Sequence, residues 1–417
     1  MLGPQGTGFF LLLIVAFGAL LFWVAVAKQV VFRVFAACLA FIPAMMFGVA
    51  AVNKYYDYYQ TWGAAFSDLS GGAAAGLPKL AAGGLTQKKI QQDLNRSTNL
   101  VEDQQFGTVF ATYVTGPKTH IRREVLVYLP PQYFQTAYAH YKFPVIELLH
   151  GSPGDPSAWI NVLDVTTDFL TLLTNHQADP AVLIMPDTDG GYRYALQCLN
   201  DPTGVQDMTF VAREVPDAIT AALRVQPPGK SWGIAGYSEG GYCAANIALN
   251  YPGDFGAAGI LSGYFAPTPS QVPLGGKPGG KPIQKNVFAG YPELLFKNSP
   301  AEYITHVPEG VEIPQFWLAA GLADKGDVEA AQQFQQLAEF RQVTVPLDLI
   351  PGGHTGSVWR AALAPMFTWM TPQLQATAKA ASLRAAQHAH THTRTPKPSA
   401  TKAPVLHVTP PAKRPKS

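Results

Sequence analysis

Three cysteines in 417 residues, none at zinc-ligand spacing from another, exclude a zinc finger or ribbon and a disulfide-scaffolded mini-domain. Cys38 falls in an apolar run, which leaves Cys198 and Cys243 as the one pair available outside it, and a disulfide between them is expected if they face an oxidising exterior. Charge is scarce as well, at 14% Asp, Glu, Lys and Arg. Acidic residues are absent from Thr371 onward, where eight Lys and Arg remain, so the formal +2 of the chain leaves −6 for everything before that point. The basic character therefore belongs to a tail and not to a folded body, and no nucleic-acid partner is expected. What is plentiful is apolar. With 47% hydrophobic and 11% aromatic residues, the chain can fill a core for a domain of roughly 250 to 280 residues, which excludes disorder throughout.

Much of that apolar content is concentrated at one end. Residues 9–27 and 34–52 are nineteen-residue runs without a charge, the second interrupted by Pro43. At 1.5 Å per residue each covers roughly 28 Å, about the thickness of the hydrocarbon core, so residues 1–53 are expected to form a two-helix membrane anchor. A cleavable leader is the competing reading. Against it stand the lack of Lys and Arg in the first eight residues and the second run close behind. Lys28 and Arg33 lie between the runs, which under the positive-inside rule puts that turn in the cytoplasm and the rest of the chain outside. Tyr55, Tyr56, Tyr58, Tyr59 and Trp62 follow, a cluster suited to the headgroup zone or to docking on the domain. Residues 71–84, dominated by Gly, Ala and Leu, read as linker, so that residues 54–103 are expected to be an interfacial segment and a connection.

From Gln104 the pattern changes to alternation. Strands are expected at residues 107–115, 123–129, 145–149, 181–185, 232–235, 257–261, 315–320 and 343–350. Helices are expected at 158–173, 210–223, 239–250, 328–340 and 357–370. Short continuous apolar strands alternating with amphipathic helices specify an α/β domain with a mainly parallel sheet covered on both faces, and the opening antiparallel hairpin fits the α/β-hydrolase plan. The domain is expected over residues 104–371, with a Pro, Gly and Lys-rich insertion at 266–310 that is a candidate lid. From about Ala376 the sequence is Ala, Thr, Pro, Lys and His, so residues 372–417 are expected to be a disordered basic tail. Its cations suit an anionic envelope polymer. His388, His390 and His392 read as bystanders, and no metal is expected.

The chemistry is carried by Gly236-Tyr237-Ser238-Glu239-Gly240-Gly241, placed between an apolar strand and a helix. A tight strand-to-helix turn forces the serine into strained geometry and lifts its oxygen to the tip of the sheet, and it needs small residues two positions to either side. A serine hydroxyl needs a base, and His354 in Pro351-Gly352-Gly353-His354 follows the last strand, whereas His306 lies in the insertion. The acid belongs at a strand end between Ser238 and His354 in chain order. Asp324 and Asp327 both qualify. Asp324 is favoured, with Asp327 as the cap of the helix from Val328. Two preorganised amides are needed for the oxyanion, and they are assigned to the N–H groups of Glu239 and of Ser152, since Pro153 has none. The Glu239 side chain, at a helix start, is expected to face solvent.

The run Arg123-Glu124-Val125-Leu126-Val127-Tyr128-Leu129-Pro130-Pro131, the His150-Gly151 turn, the elbow at Gly236 to Gly241 and the following Tyr251-Pro252 and Phe255 resemble the esterase family that includes esterase D, feruloyl esterases and the antigen 85 mycolyltransferases. The likeness covers residues 104–369, and the two-span leader is similar to actinobacterial membrane-anchored members. The resemblance implies cleavage or transfer of acyl esters without a cofactor. Glu239 departs from the apolar residue usual in the mycolyltransferases. The leading expectation is an extracytoplasmic carboxylic ester hydrolase acting on an acyl ester or lipid. An envelope acyltransferase and a non-catalytic envelope-binding protein are the alternatives.

Overall fold

The computed structural model describes residues 2–69, 77–80, 86–97, 100–190, 196–202, 204–267 and 291–392. Two helices open the chain, α1 (Thr7–Val26) and α2 (Val30–Tyr56), both long and apolar enough to cross a membrane, and they pack on each other. Most of their large side chains are exposed, Phe22 at 69% and Phe41 at 76%, as lipid-facing residues would be and core residues of a soluble domain would not. Short helices α3 (Trp62–Leu69), α4 (Gln87–Ser97) and α5 (Leu100–Phe106) lead to the sheet.

Eight strands follow: β1 (Thr108–Thr115), β2 (Arg122–Leu129), β3 (Val145–Leu149), β4 (Val182–Pro186), β5 (Gly229–Tyr237), β6 (Phe255–Leu261), β7 (Gln315–Gly321) and β8 (Leu347–Ile350). Their order is β1-β2-β4-β3-β5-β6-β7-β8, with β1 and β2 antiparallel to each other, β2 antiparallel to β4, and every later pair parallel. This is the α/β-hydrolase arrangement. Alternate residues of the central strands feed two cores, Val145 and Leu149 one of them, Ile146 and Leu148 the other. Helices α6 (Ala158–Asn161), α7 (Val165–Thr174), α8 (Val215–Ala222), α9 (Glu239–Asn250) and α12 (Lys325–Phe340) cover the sheet, along with α13 (Gly356–His392). Two further helices, α10 (Pro292–Lys297) and α11 (Pro300–Tyr303), lie in the insertion.

Several boundaries differ from the sequence reading. The helix expected at 158–173 is two helices, because Asp164 turns left-handed at φ 52° between them. The strand expected from Val343 begins at Leu347, after Gln342 at φ 60° and next to Pro346. The domain also starts earlier than Gln104. Leu80 pairs with Ala111 through a backbone hydrogen bond of 3.0 Å, and Leu80, Ile90 and Leu94 are buried in the core, so part of the expected connection is packed structure. Residues 71–76 and 81–84 of the expected linker lie outside the described residues. Of the insertion, residues 268–290, with Val272, Leu274, Ile283, Val287 and Phe288, lie outside as well. Its described remainder packs onto α9, with the Tyr242 hydroxyl donating to the Asn298 carbonyl at 2.7 Å and Asn246 Nδ2 donating to Asn298 Oδ1 at 2.9 Å.

The chain divides into two units, Met1–Ala378 and Lys379–Ser417. Residues 372–392, expected as irregular tail, continue α13 as helix. From Gln373 to His392 the sequence contains no Pro or Gly and is rich in Ala, which favours helix. The basic residues beyond His392 lie outside the described residues.

One feature of the core escaped the sequence reading. Glu147 sits in the middle of β3 with 0% exposure, and its two carboxylate oxygens have no hydrogen-bond partner among the described residues. Burial pushes it well above the usual carboxyl range, so it is held neutral. An unsatisfied buried polar group costs about 1–3 kcal/mol, and Glu147→Met is therefore expected to raise the thermal unfolding midpoint of the full chain in detergent. A lowered midpoint would show that Glu147 has a stabilising partner.

Candidate active site

β5 delivers the chain to Ser238 and α9 carries it away. Ser238 has φ 55° and ψ −121°, a conformation few L-residues adopt. A Cβ on Gly236 would lie 2.1 Å from the Gly240 carbonyl oxygen, and one on Gly240 would lie 2.1 Å from that of Leu149. Only glycine fits either position. The Ser238 N–H bonds to the Leu261 carbonyl at 2.9 Å, tying the turn to β6.

From the other side of the sheet edge, β8 ends at Ile350 and a turn through Gly352 at φ 133° brings His354 over the serine. His354 Nε2 is 2.9 Å from Ser238 Oγ, and Nδ1 is 2.7 Å from Asp327 Oδ2. Asp324 Oδ2 stands farther away, 3.3 Å from the same Nδ1, while its Oδ1 accepts the Asp327 N–H at 3.2 Å. The geometry thus exchanges the two expected roles: Asp324 caps the helix and Asp327 holds the histidine. The reason is that α12 begins at Lys325, not at Val328, so the cap falls on Asp324 and Asp327 projects from the first turn toward the imidazole. Trp359 presents its face or edge at right angles to His354, ring centroids 5.1 Å apart, and stacks on Tyr237 at 4.6 Å.

Burial opposes the imidazolium form of His354, but the hydrogen bond and charge of Asp327, joined by Asp324, outweigh it and raise the histidine above its ordinary range. Burial likewise raises Asp327, against the lowering effect of His354. The donor atoms of Asp324, Asp327 and His354 lie within 4.8 Å of one another, close enough to hold a metal ion. Nε2 directed at Ser238 and Nδ1 at a carboxylate is equally the arrangement of a positioned base, and the serine contact is what a metal site would not need.

Glu239 does not face solvent. It is 3% exposed, and its Oε1 accepts the Gln197 N–H at 2.7 Å. Burial, reinforced by the nearby charge of Asp189, pushes it well above the usual carboxyl range. The neutral form is thereby favoured, which lessens the negative charge directly beside Ser238. The Ser152 hydroxyl interacts with both Asp189 and Glu239, and the Ser152–Pro153 peptide is cis. Cys198 and Cys243 are joined in a disulfide with Cα atoms 5.5 Å apart, linking α9 to the loop that carries Gln197.

Sequence reasoning missed the polar layer under this loop. Arg123 pairs with the fully buried Asp207 and donates to the Thr188 carbonyl at 2.6 Å. Buried His150 accepts the Thr188 N–H on Nε2 at 3.0 Å, which requires a lone pair there, so its proton sits on Nδ1 beside the Gly151 carbonyl at 2.9 Å. A signal existed: His150 follows β3 and Asp187-Thr188-Asp189 follow β4, the same sheet edge as Ser238.

Residues 117–370 match the Putative esterase family. This chain is a member of that family. Among curated proteins it is similar to an uncharacterized protein of Corynebacterium glutamicum, 28% identical over 257 residues, covering 60% of this chain and 57% of that one. It is also similar to the MPT51 antigen of Mycobacterium leprae, 26% identical over 180 residues, covering 42% of this chain and 58% of the relative. The chain thus spans less than two thirds of the length of these relatives. Among solved structures, a ferulic acid esterase superposes with TM-score 0.55 at 20% identity over 64% of this chain and 98% of the other. An S-formylglutathione hydrolase from Agrobacterium tumefaciens superposes with TM-score 0.52 at 17% identity over 65% and 96%. At these identities the two structures share the fold.

A neutral buried Glu239 ionises when the chain unfolds above pH 4.5, its ordinary value, so the folded state holds one more proton there. Stability then falls as pH rises from about 4.5 toward the raised folded value, because the unfolded state binds fewer protons. Glu239→Gln, isosteric with the neutral acid, is expected to flatten this part of the stability-versus-pH profile measured by urea unfolding. An unchanged slope would show that Glu239 is not the group responsible.

Proposed function

We propose that this chain is a membrane-anchored, extracytoplasmic serine esterase that cleaves acyl esters through an acyl-enzyme intermediate. The observation that carries the reading is the hydrogen-bonded series Ser238 Oγ, His354 Nε2, His354 Nδ1 and Asp327 Oδ2, with links of 2.9 and 2.7 Å, built on a strained elbow. Ser238 Oγ attacks the ester carbonyl while its proton passes to His354 Nε2. Asp327, which stays ionised, stabilises the resulting imidazolium and fixes the tautomer. The oxyanion is held by the N–H groups of Glu239 and Ser152. His354 then returns the proton to the departing alkoxide, leaving an acyl-serine, and water activated by the same histidine releases the acid and regenerates the serine. No cofactor enters these steps. Family membership and the esterase fold of the superposed structures support the assignment, and anchoring by α1 and α2 with the catalytic part outside is supported by their length, their apolarity and the cations Lys28 and Arg33, between the helices and at the start of α2.

A fluorophosphonate probe is expected to label Ser238 covalently, with labelling lost in Ser238→Ala and His354→Ala. Nitrophenyl esters from acetate to palmitate should be hydrolysed by the wild type and slowed by about 10⁴- to 10⁶-fold in Ser238→Ala. Undiminished labelling of folded Ser238→Ala would refute the assignment. Faster acyl transfer to added glycerol or trehalose than to water would make the chain a transferase. No labelling at all would favour the envelope-binding alternative.

The two carboxylates separate in the pH profile. Since the base works unprotonated and its pKa is raised, kcat/KM should fall as pH drops through a value above the ordinary histidine range. Asp327→Asn is expected to cost about 10³- to 10⁴-fold in kcat and to lower the pH of that acid limb. Asp324→Asn should leave a far larger rate and a stability close to wild type, since an amide oxygen caps a helix about as well as a carboxylate, whereas Asp324→Ala should cost about 1 kcal/mol through the lost cap. The opposite ranking would return the acid's role to Asp324.

A further inference from the structure

The hairpin of α1 and α2 does not run into a tether. Asp57 caps α2 in the left-handed conformation, φ 48°, with its N–H on the Asn53 carbonyl, and the Tyr58 N–H bonds to the same carbonyl at 3.2 Å. The Asn53 side chain grips Tyr59 from both ends, Nδ2 donating to its carbonyl at 2.9 Å and Oδ1 accepting its N–H at 2.7 Å. Gln5 Nε2 donates to the Tyr59 carbonyl at 3.1 Å and the Trp62 indole N–H to the Leu2 carbonyl at 2.7 Å, so the start of α1 is bound into the same joint.

That joint rests on the rim of the candidate site. The Asp57 carbonyl oxygen is so close to Gly356 that a Cβ there would be 2.8 Å away. Gly356 is two residues past His354, at most about 7 Å along the chain. Tyr58 hydrogen-bonds to Tyr237, the residue before Ser238, and Tyr58 and Tyr59 pack half-buried against the core that holds Trp159 and Trp359. Next to the joint in sequence, Tyr55, Tyr56 and Phe66 are exposed at 75%, 46% and 62%, aromatic residues of the kind that settle among lipid headgroups. These residues and the site are therefore held at a fixed, short separation.

We propose that Ser238 takes its ester from the bilayer: the substrate class is an acyl ester carried by a membrane amphiphile, and the joint at residues 53–59 fixes the mouth of the site at the headgroup layer, where the ester group of such a lipid lies. The inference rests on reading α1 and α2 as spans and Ser238 as the nucleophile. Its physical basis is that withdrawing a long acyl chain into water is unfavourable for every methylene exposed, whereas a site held at the interface meets the carbonyl with the chain still in hydrocarbon.

The test uses the full chain in phosphatidylcholine vesicles, with 4-methylumbelliferyl palmitate partitioned into the bilayer and 4-methylumbelliferyl acetate in the water. The variant carries a Gly/Ser insert of about 16 residues between Tyr56 and Asp57, whose coil spans about 20–24 Å, together with Gln5→Ala and Trp62→Phe, which remove the bonds from the start of α1 to the joint and let the domain leave the surface. Palmitate turnover is expected to fall about tenfold or more while acetate turnover stays within about twofold. Equal losses on both esters, or no loss on either, overturn the proposal, as does wild-type protein that fails to float with the vesicles. Fluorophosphonate labelling of the same samples separates the two levels. Intact labelling with no palmitate-specific loss removes the bilayer source and leaves the esterase reading standing, whereas absent labelling with neither ester cleaved removes both.

Discussion

Ser238 holds its backbone at φ 55°, which costs roughly 1–3 kcal/mol, and it stays there because its surroundings leave no alternative. Gly236 and Gly240 are packed so closely on each other and on the end of β3 that no side chain fits, and the Ser238 amide is bonded to β6. The strain is thus distributed over three adjacent parallel strands, β3, β5 and β6. A turn supported so broadly can aim one hydroxyl at His354 Nε2 without the serine side chain having to choose among rotamers.

Around the elbow, polarity is handled by neutralisation. Glu239, directly after Ser238, and Glu147, in the middle of β3, are both buried and both pushed upward by burial, which favours their neutral forms. The buried positive charge of Arg123 is matched by Asp207 and by backbone carbonyls. From the other side of the sheet edge, Asp324 and Asp327 act on His354. The disulfide between Cys198 and Cys243 and the Glu239 to Gln197 hydrogen bond hold one loop to α9 at two points, next to Gln197 and Cys198 at φ 52° and 46°.

What the sequence disclosed and what it withheld follow from how local each determinant is. The elbow is legible because its requirements are met within five consecutive residues, and the strands because each is a short apolar run. His354 is legible because few histidines compete with it. The choice between Asp324 and Asp327 is not, since it turns on where α12 begins, and that is decided by which residue can cap while packing on β7. Glu239 looks like a solvent-facing first-turn carboxylate until the loop 42 residues upstream covers it. Leu80, Ile90 and Leu94 did leave a trace, Ile90 and Leu94 standing four apart in an otherwise polar segment, but the Gly and Ala runs around them read more strongly as connection.

The pair Asp324 and Asp327 has a consequence for how such a site changes over generations. Both carboxylates already face the same imidazole nitrogen, one at 2.7 Å and the other at 3.3 Å, from a single loop. Loss of the nearer one leaves a second acceptor in the neighbourhood, but one whose other oxygen is bound to the start of α12. A lineage carrying both therefore changes the third member of the proposed series only through a much slowed ancestor, in which the farther carboxylate has yet to give up its bond to the helix.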